Sequence, residues 1–180
     1  MRVIAGELGG RQLLAPKGWK VRPTPERVRE AMFSALGDIS GMRVADLYCG
    51  TGALGIEALS RGAGSAVLVD RDVRPAMGNV HNLGLTERAE LVRAEAASWL
   101  EAGGERFDLI FLDPPYRAAP ELAAALDRGL PGRLAPEGRV VVECEARRPL
   151  GLPSLEVVRE RRYGRTLVTF HRSIDLPGTE

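Results

Sequence analysis

The segment Phe111-Leu112-Asp113-Pro114-Pro115-Tyr116 sets an acid, two prolines and an aromatic ring directly after the apolar run FDLIFL. A carboxylate and a proline carbonyl can each accept one N–H of a planar exocyclic amine, which orients the nitrogen and makes it partly pyramidal. Pro114 and Pro115 carry no N–H, so they offer carbonyl groups on a stiff frame without a competing donor. Tyr116 offers a face on which a base drawn out of its stack can lie, a contact of about 1–3 kcal/mol. Asp-Pro-Pro is equally a plain turn with two fixed φ angles. Its place in the fold must decide between the two.

A second stretch, DLYCGTGALG (46–55), follows an apolar run and opens a helical pattern, with Gly50, Gly52 and Gly55 in G-x-G-x-x-G spacing. Such glycines let a turn close and let a ligand approach the backbone at a helix N-terminus. Asp70 ends the next apolar run, 20 residues after Gly50, where a carboxylate can accept both ribose hydroxyls of an adenosine. That pair serves a nicotinamide dinucleotide as well as S-adenosylmethionine. Asp46 favours the second: an acid four residues before Gly50 suits a methionine ammonium and repels a pyrophosphate. It can also simply cap the turn. Glu95 and Ala96 follow the third run, where an adenine edge would lie, although a solvated glutamate at a helix start reads the same way.

The elements that must hold these residues alternate. RVADLY (43–48), AVLVD (66–70), AELVR (89–93), FDLIFL (107–112) and RVVVE (139–143) read as buried parallel strands. Helical patterns ending at or near glycine lie between them, and strand–helix repetition implies a doubly wound α/β sheet. Pro131 to Gly138 reads as a loop between elements. The tail, LEVVRERRYGRTLVTFHR (155–172), reads as an antiparallel hairpin turning at Tyr163-Gly164 on a sheet edge. Five parallel strands with such a hairpin give a Rossmann-like, seven-stranded, mostly parallel sheet, the layout of class I methyltransferases. In that layout Asp113 ends the fourth strand beside the first, at the crevice where open α/β sheets bind ligands. Ahead of the sheet, IAGELGGRQLLAP reads as a hairpin around Gly9-Gly10. RPTPERVREAMFSAL reads as a helix with Thr24 as N-cap, Pro25 at its first position, and Arg27, Arg29 and Glu30 mostly off its apolar face.

At 180 residues and 44% hydrophobic content the chain suits one domain: a hairpin-and-helix extension over 1–40 and a catalytic core over 41–180. Cys49 and Cys144 show no CxxC spacing, and the two histidines form no zinc pattern, so neither a disulfide framework nor a metal is expected. No apolar run reaches the roughly 20 residues of a membrane span, and nothing resembles a secretion signal. A cytoplasmic monomer is expected. Arginine outnumbers lysine 23 to 2, a bias that suits either thermal tolerance or a GC-rich genome. The net charge of +1 is unevenly spread. Residues 1–37 hold seven Lys/Arg against three Glu and residues 147–172 seven Arg against two Glu, leaving −8 elsewhere. Basic ends on one side of an acidic core would suit a polyanion; solvated charge on an edge hairpin is the plainer reading.

With DLYCGTGALGIEALSRG, DPPY, RVIAGELGGRQL and RPTPERVREAMFSAL in this chain, the sequence resembles the bacterial 16S rRNA guanine-N2 methyltransferase family over nearly its whole length. The resemblance implies S-adenosylmethionine as donor, a guanine 2-amino group as acceptor, and 16S rRNA in an assembled or partly assembled small subunit as substrate. It implies that Asp46, Gly50 and Gly52 line the donor's methionine end, Asp70 its ribose, and Glu95 and Ala96 its adenine, with Tyr48 and Arg71 also in the donor site. Thr24 and Arg27 would reach its carboxylate, and Asp113, Pro114, Pro115 and Tyr116 would hold the target amine. Arg2, Gly10, Arg11 and Arg22 would contact RNA. The four-residue motif also serves adenine-N6 or cytosine-N4 methylation, which stays the alternative; a nicotinamide oxidoreductase leaves it idle, and a non-catalytic RNA-binding module leaves the crevice without a role.

Overall fold

The computed structural model describes residues 1–15, 24–114 and 120–174. In chain order the elements are α1 (Glu26–Leu36), β1 (Arg43–Leu47), α2 (Ala53–Ser60), β2 (Ser65–Asp70), α3 (Arg74–Asn82), β3 (Ala89–Arg93), α4 (Ala96–Glu101), β4 (Phe107–Leu112), α5 (Pro120–Arg133), β5 (Leu134–Glu145), β6 (Leu155–Tyr163) and β7 (Thr166–Ser173). They build one seven-stranded sheet in the order β3-β2-β1-β4-β5-β7-β6. The first five strands are parallel, and β7 and β6 add antiparallel at the edge. This is the sheet that the pattern of apolar runs implies.

Side-chain alternation divides the core. Val44, Leu68, Leu109, Phe111 and Val141 face α1, α2 and α3, with Phe33 of α1 packed 5.4 Å from the Phe111 ring. Leu47, Val69, Ile110 and Val142 face α4 and α5. Both faces are covered, so the central strands are predominantly apolar, as parallel strands buried on both faces are. No helix among the described residues is long and apolar enough to cross a membrane.

Three local expectations give way. Thr24 does not cap α1: Pro25 occupies the N-cap position with ψ 142°, and the Thr24 hydroxyl is engaged by Glu143 at 2.6 Å. The Pro131–Gly138 stretch is not a free loop. α5 runs to Arg133, and β5 starts at Leu134, where it pairs with Phe107 before a register break carries the next pairing to Leu109 with Arg139. The turn-like residues Ala135–Gly138 form an irregularity inside a strand because Leu134 on one side and Val140 on the other are both drawn into the core.

The third correction concerns Arg29, which is fully buried. The N-terminal segment forms a short hairpin, with Arg2 bridging Gln12, and closes over α1 and α2. Arg29 Nη2 donates to the Arg2 carbonyl at 2.6 Å, and Nη1 lies 3.9 Å from Glu57 Oε2 with both side chains at 0% exposure. Glu57 also accepts the Ile4 and Ala5 N–H groups at 2.7 and 3.1 Å and the Arg61 Nε at 2.7 Å. One buried glutamate thus ties the hairpin to two helices. Gly6, at φ +81°, passes so close to the end of α2 that a Cβ would sit 1.8 Å from the Ser60 carbonyl oxygen. Removing one partner of a buried ion pair costs about 3–5 kcal/mol. Glu57→Gln should therefore lower unfolding stability by about that amount in urea titrations; a loss below about 1 kcal/mol, an exposed-pair value, would show that Glu57 does not balance the Arg29 charge.

Candidate active site

β1, β4 and β5 lie side by side, and their carboxyl ends bring three acids to one face of the sheet. Asp46 is aligned with Phe111 across β1 and β4, and Leu112 with Val142 across β4 and β5, so Asp113 falls beside Glu143. The Asp113 N–H continues the ladder to the Leu47 carbonyl at 3.5 Å. Thr24 bridges the acids from above: its hydroxyl donates to Glu143 Oε2 at 2.6 Å and reaches toward Asp113 Oδ2 at 3.5 Å. Asp113 is half-buried and Pro114 buried, whereas Pro115 and Tyr116 lie outside the described residues, as does Arg22.

The electrostatics of the cluster follow from desolvation. Burial raises Asp46 to about 7, the Gly55 N–H works against the shift, and the nearby Asp70 adds to it. Burial, reinforced by the Glu143 and Asp46 carboxylates, holds Asp113 well above the ordinary carboxylate range. Neither Asp46 nor Asp113 has an ion-pair partner among the described residues. Acids placed this way favour whatever brings positive charge or N–H donors to them.

The glycine loop explains itself locally. Tyr48 adopts φ +61°, the sole non-glycine positive φ among the described residues and a strained conformation at the mouth of the crevice. Gly52, at φ +78°, ends the turn, and a Cβ there would crowd Ile56, Leu68 and Ala76 at 3.2–3.3 Å. Gly55 brings α2 onto the sheet: a Cβ there would lie 2.2 Å from Leu68 Cδ2. Its N–H donates to Asp46 Oδ2 at 2.8 Å. Asp46 therefore does brace the turn while remaining the buried acid of the crevice.

Asp70 Oδ2 accepts the Gly50 N–H and Oδ1 the Asp72 N–H, both at 3.0 Å, leaving lone pairs on both oxygens for hydroxyl donors. Arg71 pairs with Glu95 across the ends of β2 and β3, and Ala96 is buried at the start of α4. Burial raises the Tyr48 phenol to about 12, with Glu95 adding to the effect, and its buried hydroxyl has no hydrogen-bond partner among the described residues. A cation-demanding acid at Asp46, an orphan phenol at Tyr48 and carboxylates at Asp70 and Glu95 fit a ligand with an ammonium at one end and an adenosine at the other. Among the described residues no group of three or more His, Cys, Asp or Glu is placed to hold a metal ion.

The remaining expected residues are more scattered. Arg27 is exposed on α1. Arg2 is exposed and pairs with Glu26 at 3.1 Å. Gly10, at φ +84°, and the exposed Arg11 lie by the hairpin turn, which docks on the C-terminal end of α2 through the Leu8 N–H to Ser60 Oγ and the Glu7 N–H to the Ser60 carbonyl. Eight residues of α2, about 12 Å, separate that end from the glycine loop. Glu143 is the residue that sequence reasoning missed. It stands last in RVVVE and is only 2% exposed; its charge next to an apolar strand was the available signal, since a charged residue that enters the core must have a partner.

A profile of the family described as "Conserved hypothetical protein 95" matches residues 1–172. The chain is 37% identical over 181 residues to the YlbH protein of Bacillus subtilis (strain 168), named as a candidate rRNA methyltransferase, covering 96% of this chain and 98% of that one. It is 36% identical over 160 residues to ribosomal RNA small subunit methyltransferase D of Escherichia coli (strain K12), covering 86% and 79% respectively. A solved structure of the E. coli protein yhhF, called a candidate methyltransferase, superposes with a TM-score of 0.82 at 32% identity over 96% of this chain and 97% of that one.

The Asp46 shift carries a stability consequence. Unfolded aspartate titrates near 4 and Asp46 near 7 in the fold, so between those values the folded protein keeps a proton that the unfolded chain has released. Stability is full below about pH 4 and is lost as pH rises through about 7. Asp46→Asn, whose amide oxygen can still accept the Gly55 N–H, removes that loss. The ligand-free variant should exceed wild type by about 2–4 kcal/mol at pH 8 and by less at pH 5 in urea unfolding. A difference that does not grow with pH would mean that the Asp46 carboxylate is not desolvated as described.

Proposed function

The chain belongs to the family described as conserved hypothetical protein 95, and from that membership we propose that it transfers a methyl group from S-adenosylmethionine to ribosomal RNA, specifically to the N2 amine of a guanine in the 16S rRNA of the small subunit. The observation that carries this reading is the position of Asp113 and Pro114 at the end of β4, beside the Asp46 carboxylate and the glycine loop. The names of the relatives support an RNA substrate. The protein acts as a cytoplasmic monomer and a single unit over 1–180, on an assembled or partly assembled subunit.

Asp46 holds the donor's ammonium end, with Tyr48 beside it; Asp70 and Glu95, steadied by Arg71, hold its ribose and adenine. Thr24 and Arg27 stand on the side of its carboxylate. When bound, S-adenosylmethionine supplies a methyl group on a positively charged sulfur. That charge near Asp46 and Asp113 favours their ionised forms, which readies Asp113 to accept an N–H. The Asp113 carboxylate and the Pro114 carbonyl each take one N–H of the guanine amine, Tyr116 stacks on the base, and Pro115 stiffens the frame. The nitrogen lone pair is thereby turned out of the ring. Orientation dominates, because a planar aromatic amine is poorly nucleophilic until it is turned. The alkylated amine is cationic and strongly acidic, and Asp113, raised by burial, takes its proton directly.

The test is transfer of labelled methyl from S-adenosylmethionine to small ribosomal subunits that lack their modifications, followed by nucleoside digestion. Label should appear in N2-methylguanosine, and Asp113→Ala should lower transfer by about a hundred- to a thousandfold, as for loss of a group acting at the reacting centre. The increase in melting temperature caused by S-adenosylmethionine should be retained in that variant. Label in N6-methyladenine or N4-methylcytosine would keep the methyl-transfer reading and discard guanine; parallel loss of donor binding would show that Asp113 shapes the donor site.

A further inference from the structure

β5 is parallel to β1 and β4, so its end at Glu145 lies at the same edge of the sheet as Asp113. The chain continues there into Arg147 and Arg148, both exposed. Opposite them, Glu145 pairs with Thr166, which places the β6–β7 turn at that edge too. The Ala146 N–H donates to the Arg165 carbonyl at 2.8 Å and so joins the two turns. Arg161, Arg162 and Arg165 surround the second turn, all exposed. Arg161 reaches the Glu160 carbonyl and Arg162 the Gly164 carbonyl, both at 3.0 Å, which holds these side chains close to the backbone of the turn.

These five arginines have no carboxylate within ion-pair distance among the described residues, whereas Arg2, Arg43, Arg61, Arg71, Arg74, Arg88 and Arg128 each have one. Glu145 and Glu160 are the acids of the same two turns, so the local balance stays positive. Guarding an exposed sheet edge against another strand is the ordinary use of edge charges. That use would place them against the apolar part of β6, yet Val157 and Val158 stand exposed at the other end of the strand. The charge is concentrated where the edge borders the crevice. By contrast, the N-terminal hairpin turn docks at the opposite end of α2 from the glycine loop.

We propose that the two linked turns carrying Arg147, Arg148, Arg161, Arg162 and Arg165 form a docking site for RNA phosphates beside the crevice, separate from the N-terminal hairpin. Guanidinium groups with no carboxylate partner lose no ion pair when they meet phosphate, and their fork matches its oxygens. The site rests on the RNA substrate of the preceding reading. It fixes the position of the strand flanking the target base and contributes affinity without touching the reacting atoms.

Binding to unmodified small subunits and to free 16S rRNA, measured over a series of KCl concentrations, tests it. The triple variant Arg161→Ala/Arg162→Ala/Arg165→Ala should reduce the slope of log K against log[KCl] by about 2–3, at about 0.7–0.9 for each phosphate no longer neutralised. Its KM for subunits should rise while kcat at saturation and the melting shift with S-adenosylmethionine stay as in wild type. The double variant Arg74→Ala/Arg128→Ala, which removes the same kind of charge from ion-paired surface positions, should leave the slope unchanged. An unchanged slope in the triple variant overturns the site, as does an equal fall in both variants, which would reflect overall charge. A fall seen with subunits but not with free rRNA assigns the turns to a ribosomal protein and overturns the RNA site. Wild-type protein that binds neither substrate at any salt removes the proposed function itself.

Discussion

Taking a carboxylate out of water is costly, and this fold does so at two places with opposite outcomes. At Glu57 the protein supplies the countercharge: Arg29 is buried with it, Arg61 bonds to it, and two backbone N–H groups from the hairpin complete its shell. At Asp46 one N–H from Gly55 is the hydrogen bond supplied, and no ion-pair partner stands among the described residues. The first arrangement closes the structure, because the carboxylate's countercharge and hydrogen-bond donors are already present. The second leaves the carboxyl ends of β1 and β4 electrostatically incomplete, and a ligand with a positive charge restores the balance.

That contrast explains the relation between the two helices over the crevice face. α2 starts at the incomplete acid, through Gly55, and ends at the complete one, through Glu57 and Ser60. Thr24, just ahead of α1, touches Glu143, and α1 contributes Arg29 to the other end. The hairpin turn is held where the charges are balanced, and the segment's far end is tied through Leu14 to Asn79 of α3, which also donates to the Thr51 carbonyl of the glycine loop. A site that must keep strained and unpaired groups, such as the Tyr48 backbone and phenol, gains from such a fixed support.

How far the sequence revealed this depends on range. Parallel strands buried on both faces read as continuous apolar runs, so β1 to β5 and their helices were visible, as was the edge hairpin through Tyr163-Gly164. Asp46, Asp70 and Asp113 were legible because each closes a strand next to a glycine or proline signal. Arg29 was not, because local periodicity places it off the apolar face of α1 and the hairpin that covers it is 27 residues away in sequence. Thr24 looked like a cap because capping is local, whereas its actual partner is 119 residues distant. The Ala135–Gly138 irregularity had the composition of a loop; the pairing of Leu134 with Phe107 is a property of the neighbouring strand.

Glu143 shows the same limit and also what the topology adds. Its residue type at the end of an apolar run reads as a strand exit, and it gains meaning from the adjacency of β4 and β5, which sets it beside Asp113. Past its end at Glu145, β5 leads into a turn that carries Arg147 and Arg148, so the chain runs within a few residues from an acid inside the crevice to arginines on its rim that have no ion-pair partner among the described residues. Register within a hydrogen-bonded ladder changes little with side-chain motion, and β5 is bonded on both sides, to β4 and β7. The offset from Glu143 to the strand's end at Glu145 is therefore set by backbone geometry, at about 3.3 Å per residue, and the turn bearing the arginines is tied there by the Ala146 N–H to the Arg165 carbonyl. Under the proposed docking, a strand held by its phosphates at the rim would meet the acids at an offset fixed by this ladder, which would relate a grip on the backbone to one base.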